Sequence, residues 1–109
     1  MRLQALTLVL ALAACDEADP EARALVARYG CVSCHEIPNV PGPRGNSGPP
    51  LTHMPRQVYV AGVAPNTPEV LARFIADPQA IDPRSAMPDL GVSAEEARII
   101  AGFLLGIGG

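Results

Sequence analysis

Two thiols and one imidazole lie within five residues of this chain, in the segment Gly30-Cys31-Val32-Ser33-Cys34-His35. The chain has 109 residues with only three Cys and two His, so this segment holds three of its five Cys and His side chains. A Cys-x-x-Cys pair can form a redox-active dithiol or supply half of a zinc site. When His follows the second Cys directly, the same spacing is the attachment signature of c-type haem.

The three kinds of site make different demands on the rest of the chain. A zinc site normally needs four ligands, and the sequence has no second Cys pair. A thioredoxin-like dithiol expects a βαβ pattern, which is missing here. We therefore favour one covalently bound haem c, with Cys31 and Cys34 as the thioether residues and His35 as the proximal iron ligand.

The N-terminal residues have the composition of an export signal. Arg2 supplies a positive charge, and the mostly apolar stretch 3–14 is far shorter than the roughly 20 residues that a spanning helix needs. The sequence Leu12-Ala13-Ala14-Cys15 resembles a bacterial lipobox, whose Cys is acylated and becomes the new N-terminus. Ordinary cleavage after Ala11-Leu12-Ala13 is the alternative, but lipidation of Cys15 explains the odd number of Cys in an exported protein.

Lipidation predicts a membrane-anchored protein with three segments. We expect a removed signal peptide at 1–14, a lipidated tether at 15–19 and a folded domain at 20–109. Because more than one acyl chain is needed for stable anchoring, the two or three chains expected on Cys15 would hold the domain on a membrane. Asp16 resembles the signal that retains some lipoproteins at the inner membrane, so we expect the periplasmic face of the bacterial inner membrane.

Three helices are predicted in the folded domain, and no stretch shows sustained strand alternation. They begin at Asp19-Pro20, at Thr67-Pro68-Glu69 and at the capping box Ser93-Ala94-Glu95-Glu96, and the second ends at Asp77-Pro78. The Pro- and Gly-rich segment Glu36–Val63 is predicted to be an ordered loop without regular structure. These patterns predict a single all-α domain. The expected inward-facing residues are Ala22, Leu25, Val26, Tyr29, Val70, Leu71, Phe74, Ile75, Ala97, Ile100, Phe103, Leu104 and Ile107.

A haem held by His35 alone would leave the sixth iron position open. The candidate ligands in the mature chain are Met87, Met54 and His53. Met87 lies directly before Pro88, between the second and third predicted helices. Met is also a common filler of gaps in a core, which is the alternative for Met87 and the role we expect for Met54. His53 lies in the wrapping loop, where we expect a hydrogen bond or surface exposure.

Several ordered motifs together resemble those of a known family. The stretches "CVSCH", "GPPL", "NTPEVLARFIADPQAIDP" and "AMPDLG" are similar to those of class I cytochromes c, and especially to the cytochrome c domains associated with bacterial terminal oxidases. The resemblance covers about residues 20–107. It implies a small all-α fold with long loops, in which the N- and C-terminal helices pack around the haem. It also assigns Met87 as the distal ligand and the carbonyl of Pro49 as the acceptor for the second ring nitrogen of His35.

Two residues that follow Met54 closely bear on the edge of the haem. Either Arg56 or Tyr59 is expected to reach a haem propionate, and the planar guanidinium of Arg pairs well with carboxylates. A solvated Arg56 on the surface is the alternative. Related sequences often have Trp at the position of Phe74, and Phe lacks the N–H donor that Trp would offer to a propionate.

The expected function is electron transfer and not enzymatic catalysis. A haem with His and Met ligands has no open position for a substrate. We expect a membrane-anchored carrier of single electrons between respiratory enzymes, with a quinol-oxidising complex or dehydrogenase as donor and a terminal oxidase as acceptor. A dedicated haem subunit of one oxidase or dehydrogenase complex is the alternative, and a haem peroxidase or gas sensor is a further one. We expect a monomer or a subunit of such a complex.

Charge and composition exclude some partners. The chain carries eight basic residues, all of them Arg, against eleven acidic residues, for a net charge of −3. It has no basic run, so nucleic-acid binding is not expected. Because no ring of Lys is present to attract acidic partners, we expect docking through a largely apolar patch around the haem edge. With only two Tyr, two Phe and no Trp, the core is thin, and a buried haem would help to fill it.

Overall fold

The computed structural model describes residues 19–107, and this part of the chain is mostly helical. The all-α class predicted from the sequence is therefore confirmed in broad terms, with one small two-stranded sheet added. The α-helices are α1 (Pro20–Arg28), α2 (Pro68–Ala76), α3 (Pro78–Ile81) and α4 (Ala94–Gly106); the strands are β1 (Tyr59–Val60) and β2 (Ala64–Pro65); and two short 3₁₀ helices span Cys31–Ser33 and Met54–Arg56.

The three predicted helix starts are present, each with its side-chain cap. Asp19 caps α1, Thr67 caps α2 and Ser93 caps α4, because a side-chain oxygen of each accepts a hydrogen bond from the backbone N–H three residues later. These donor–acceptor distances are 3.1, 3.2 and 3.1 Å respectively. Such a cap typically contributes about 1 kcal/mol to helix stability. The second helix ends at Ala76, directly before the predicted stop at Asp77-Pro78.

The core forms where α4 packs against both α1 and α2. The helices α1 and α4 are therefore in direct contact. Ile100 of α4 and Val26 of α1 are among the largest fully buried side chains. The predicted inward-facing residues all belong to this core. Those that are buried are Ala22, Leu25, Val26, Leu71, Ile75, Ala97, Ile100 and Leu104, and those that are half-buried against it are Tyr29, Val70, Phe74, Phe103 and Ile107.

A polar contact adds to this packing between α1 and α4. The hydroxyl of Tyr29 donates to Oε1 of Glu96 across 2.6 Å, and the hydroxyl of Ser93 donates to the same oxygen across 3.1 Å. Arg28 lies 3.7 Å from the other carboxylate oxygen. The Tyr29 hydrogen bond is the main reason why the pKa of Glu96 lies below its ordinary value, and it raises the pKa of Tyr29. The capping-box carboxylate thus ties two helices together.

Two parts of the prediction need correction. The segment Glu36–Val63 is not wholly irregular, because it contains the 3₁₀ helix Met54–Arg56 and the strand β1, which pairs antiparallel with β2. Strands of two residues are too short to produce an alternating pattern. A further helix, α3, begins at Pro78 immediately after α2 ends. A proline ends the helix that precedes it but fits the first turn of a helix that begins with it. The sequence therefore predicts the end of α2 but not the start of α3.

Two of the predicted segments lie outside the described residues. These are the signal peptide at 1–14 and most of the tether at 15–19, including the lipidation candidate Cys15. The predicted start of the folded domain at residue 20 coincides with the first residue of α1. Between residues 19 and 107, no helix has both the length and the apolar character needed to cross a membrane.

Candidate cofactor site

One cavity of about 620 Å³ brings together most of the predicted site residues. Its volume is within the range of about 300–1,000 Å³ that small-molecule and cofactor sites occupy. Its wall is formed by residues of the Cys-x-x-Cys-His segment, of the stretch 47–62, of the loop before α4, and of the helices α1, α2 and α4. The predicted site residues that line it are Cys31, Cys34, His35, Pro49, Tyr59 and Met87.

The predicted hydrogen bond between His35 and Pro49 is present in the structure. Nδ1 of His35 lies 2.7 Å from the carbonyl oxygen of Pro49. A carbonyl oxygen only accepts, so Nδ1 must carry the proton and donate it. The neutral ring then keeps its lone pair on Nε2, which is the form that a metal-binding imidazole requires.

The loop before Pro49 lies unusually close to the Cys-x-x-Cys-His segment. Its backbone N–H groups donate to carbonyls of that segment, from Gly45 to Val32 across 3.0 Å and from Gly48 to Cys34 across 2.8 Å. A Cβ atom added at Gly48 would lie 2.3 Å from the ring of His35, and one added at Gly45 would lie 1.9 Å from a backbone oxygen. No such contacts are possible, so both positions require glycine. The loop thereby fixes both the backbone and the imidazole of the site.

The two thiols are half-buried at the cavity wall and form no disulfide. Burial is the main reason why the pKa of Cys31 lies above its ordinary value. A reactive dithiol centre shows the opposite shift, because its attacking thiol is held as a thiolate by nearby positive charge or a helix N-terminus. The local environment of Cys31 therefore does not resemble that of a thioredoxin-like redox pair.

Met87 lies half-buried in the segment between α3 and α4. Its backbone N–H donates to the hydroxyl of Ser85 across 3.2 Å, and its carbonyl accepts a hydrogen bond from Nε2 of Gln79 across 2.7 Å. No sequence pattern singles out Gln79, because its contact with Met87 depends on the unpredicted helix α3.

The remaining candidates, Arg56, His53 and Met54, differ in whether they line the cavity. Arg56 is exposed in its 3₁₀ helix and does not line the cavity, whereas Arg84 does. Arg84 and Asp82 are the two charged side chains that line the cavity within residues 19–107. His53 is exposed and lies outside the cavity, and Met54 is buried at its wall. Nothing in the spacing of Arg84 distinguished it from the other surface Arg residues.

The edge of the cavity carries an exposed apolar surface, formed by the β1–β2 hairpin. Tyr59, Ala61 and Gly62 of this hairpin line the cavity. Val58, Tyr59 and Val63 are 71, 59 and 57% exposed and are the large apolar side chains most open to solvent in the described chain. The sequence from Gln57 to Thr67 contains no charged residue. We call the residues Val58, Tyr59 and Val63 the hairpin patch.

The side chains at the cavity fit a covalently bound haem. They supply two free thiols, an imidazole with its Nε2 lone pair available, a thioether sulfur and a mostly apolar wall. A zinc site is less suitable, since no group of three or more His, Cys, Asp or Glu residues is close enough to share a metal ion within residues 19–107.

Comparisons of the chain with family models, with curated proteins and with solved structures found no match. The function proposed below therefore rests on the residues of this chain and on the geometry of the cavity.

Proposed function

We propose that this chain is a membrane-anchored, monohaem c-type cytochrome that carries single electrons between respiratory enzymes. Cys31 and Cys34 would hold the haem through thioethers, and His35 and Met87 would bind its iron. The observation that supports this proposal best is that one apolar cavity collects all four side chains while Pro49 fixes the tautomer of His35. The packing of α1 against α4 beside this cavity supports the finer proposal of a class I cytochrome c fold.

The bound haem would supply one-electron chemistry at its iron, as it does in other c-type cytochromes. The residues of this chain would set the conditions for it. The carbonyl of Pro49 holds the proton of His35 on Nδ1, which orients the ring and makes Nε2 a better donor. Met87 would fill the remaining iron position, so no site is left for a substrate. Apolar core residues such as Leu71 and Ile100 line the cavity and would keep water from the buried face of the haem.

The proposal also names the electron-transfer partners and the attachment to the membrane. A quinol-oxidising complex or dehydrogenase would be the donor, and a terminal oxidase would be the acceptor. The acylated Cys15 would hold the domain at the periplasmic face of the inner membrane. The uncharged hairpin patch beside the cavity supports docking by apolar contact, since the chain has no Lys and an excess of acidic residues.

A fractionation experiment in the native organism tests attachment and anchoring together. Membrane and soluble fractions are separated on a denaturing gel, stained for haem and compared by reduced-minus-oxidised spectra. We expect the full-length protein to retain haem on the gel and to remain with the membrane, and the Cys15→Ser variant to move to the soluble fraction. A band without haem would contradict the cofactor, and a Cys15→Ser variant that stays in the membrane would contradict the anchor.

A further inference from the structure

The segment that carries Met87 has little regular structure of its own. No helix or strand lies between the end of α3 at Ile81 and the start of α4 at Ala94. Within it, the backbone N–H of Ser85 donates to the carbonyl of Asp82 across 2.9 Å, and the Ser85 hydroxyl accepts from Met87. Since this segment has no helix or strand ladder, side-chain hydrogen bonds contribute to where it lies, together with the packing of Leu90 and Val92 in the core.

Gln79 makes two hydrogen bonds to this segment from outside it. Its Nε2 donates to the carbonyl of Ser85 across 3.1 Å and to the carbonyl of Met87 across 2.7 Å. Both partners only accept, and the amide nitrogen is the side-chain atom of Gln79 that has two protons to donate. The amide nitrogen of Gln79, and not its oxygen, therefore faces the segment.

The backbone of Gln79 is held in place by the residue before it. Pro78 is among the largest fully buried side chains, and α3 packs against α2. The next residue, Gln79, is exposed and extends its amide to the Met87 segment. A helix fixed in the core thus controls the position of a loop that lacks its own backbone ladder.

We propose that Gln79 is a positioning residue that holds the Met87 segment at the cavity and keeps the Met87 sulfur available to the iron. This inference rests on the proposed function, because it concerns the strength of Met87 ligation. Gln79 does not line the cavity, and it reaches the site only through its hydrogen bonds to the backbone of Ser85 and Met87. Loss of its amide should therefore weaken Met87 ligation without removing any of the four site side chains.

The test is a titration of the ferric, haem-loaded full chain with imidazole, which competes with Met87 for the iron. The weak near-red absorption band of Met-ligated ferric haem reports how much Met87 remains bound. The net contribution of the two Gln79 hydrogen bonds corresponds to a change of about 5- to 30-fold in the apparent affinity for imidazole. We expect Gln79→Ala to bind imidazole more tightly by that factor. Gln79→Glu, which replaces the donor by an acceptor of the same shape, should bind it at least as tightly as Gln79→Ala.

Arg73→Ala is the matched control. Arg73 is exposed on α2, and the side-chain hydrogen bonds that hold the Met87 segment do not involve it. We expect an imidazole affinity equal to that of the wild type. Equal imidazole affinity for wild type, Gln79→Ala and Gln79→Glu would overturn the role of Gln79 and leave the proposed function intact. An equal gain in Arg73→Ala would also overturn it, while a wild type without the near-red band would contradict the proposed function first.

Discussion

The imidazole of His35 donates from Nδ1 to the carbonyl oxygen of Pro49 across 2.7 Å. The same ring lies against Gly48, where an added Cβ would approach it to within 2.3 Å. This stretch of the loop thus accepts a hydrogen bond from the ring and also leaves no room for a side chain between loop and ring. Both contacts come from the same short stretch of loop, which makes Gly48 and Pro49 part of the site rather than a mere turn.

Gly48→Ala should damage the site by displacing the ring of His35. We expect the haem-loaded protein to lose about 1–3 kcal/mol of stability, the usual range for overpacking a closely packed position. Thermal unfolding followed by circular dichroism, with haem content per chain, measures the effect. Gly102→Ala is the control, because nothing lies near an added Cβ at that position of α4 and alanine favours the helix. Equal stability of Gly48→Ala and the wild type would contradict the structure of this loop.

The link between Tyr29 and Glu96 predicts a dependence of stability on pH. The Tyr29 hydrogen bond lowers the pKa of Glu96 below its ordinary value of 4.5 in the folded protein. Because the folded pKa is depressed, the contribution is complete above pH 4.5 and is lost as the pH falls through the lowered pKa. We expect Tyr29→Phe to be less stable than the wild type at pH 7, and the difference to shrink at pH 3. Urea unfolding at both pH values measures it, and an unchanged difference would count against the link.

The hairpin patch predicts apolar docking to the electron acceptor. Asp substituted for Val58 or Val63 should slow reoxidation of the reduced protein by native membranes about tenfold, since each variant places a charge at an apolar contact. The wild-type rate should depend only weakly on added salt. Ala24→Asp adds the same charge on the exposed face of α1 and should have no effect. A steep fall of the wild-type rate with salt, or equal slowing by Ala24→Asp, would contradict docking through this patch.

The cavity predicts that the chain without haem is poorly folded. Core residues from three helices, including Val26, Leu71 and Ile100, line the cavity and would lose their packing partner. Large apolar cavities cost stability in proportion to their volume. We expect a Cys31→Ser/Cys34→Ser variant without haem to show reduced helix content and no cooperative thermal transition. Native helix content with a cooperative melt would show that the helices are stable without the cofactor.

The sequence predicted the parts of this protein that depend on local signals. Helix starts at Asp19, Thr67 and Ser93 could be predicted because a cap residue and a few apolar positions determine them. The contact of Pro49 with His35 could be expected only through a family resemblance, since the two residues are far apart in sequence. Arg84 and Gln79 were missed because their roles depend on how a loop folds back onto the cavity, which no short sequence pattern encodes.

Identification of the distal ligand tests the central proposal most directly. The measurement is the near-red absorption band of the ferric, haem-loaded full chain, compared between wild type, Met87→Leu and Met54→Leu. Leu is close to Met in volume, so both variants should remain folded. We expect the wild type and Met54→Leu to show the band and Met87→Leu to lose it. A band that survives in Met87→Leu, or its absence from the wild type, would contradict an electron carrier with His35 and Met87 as its iron ligands.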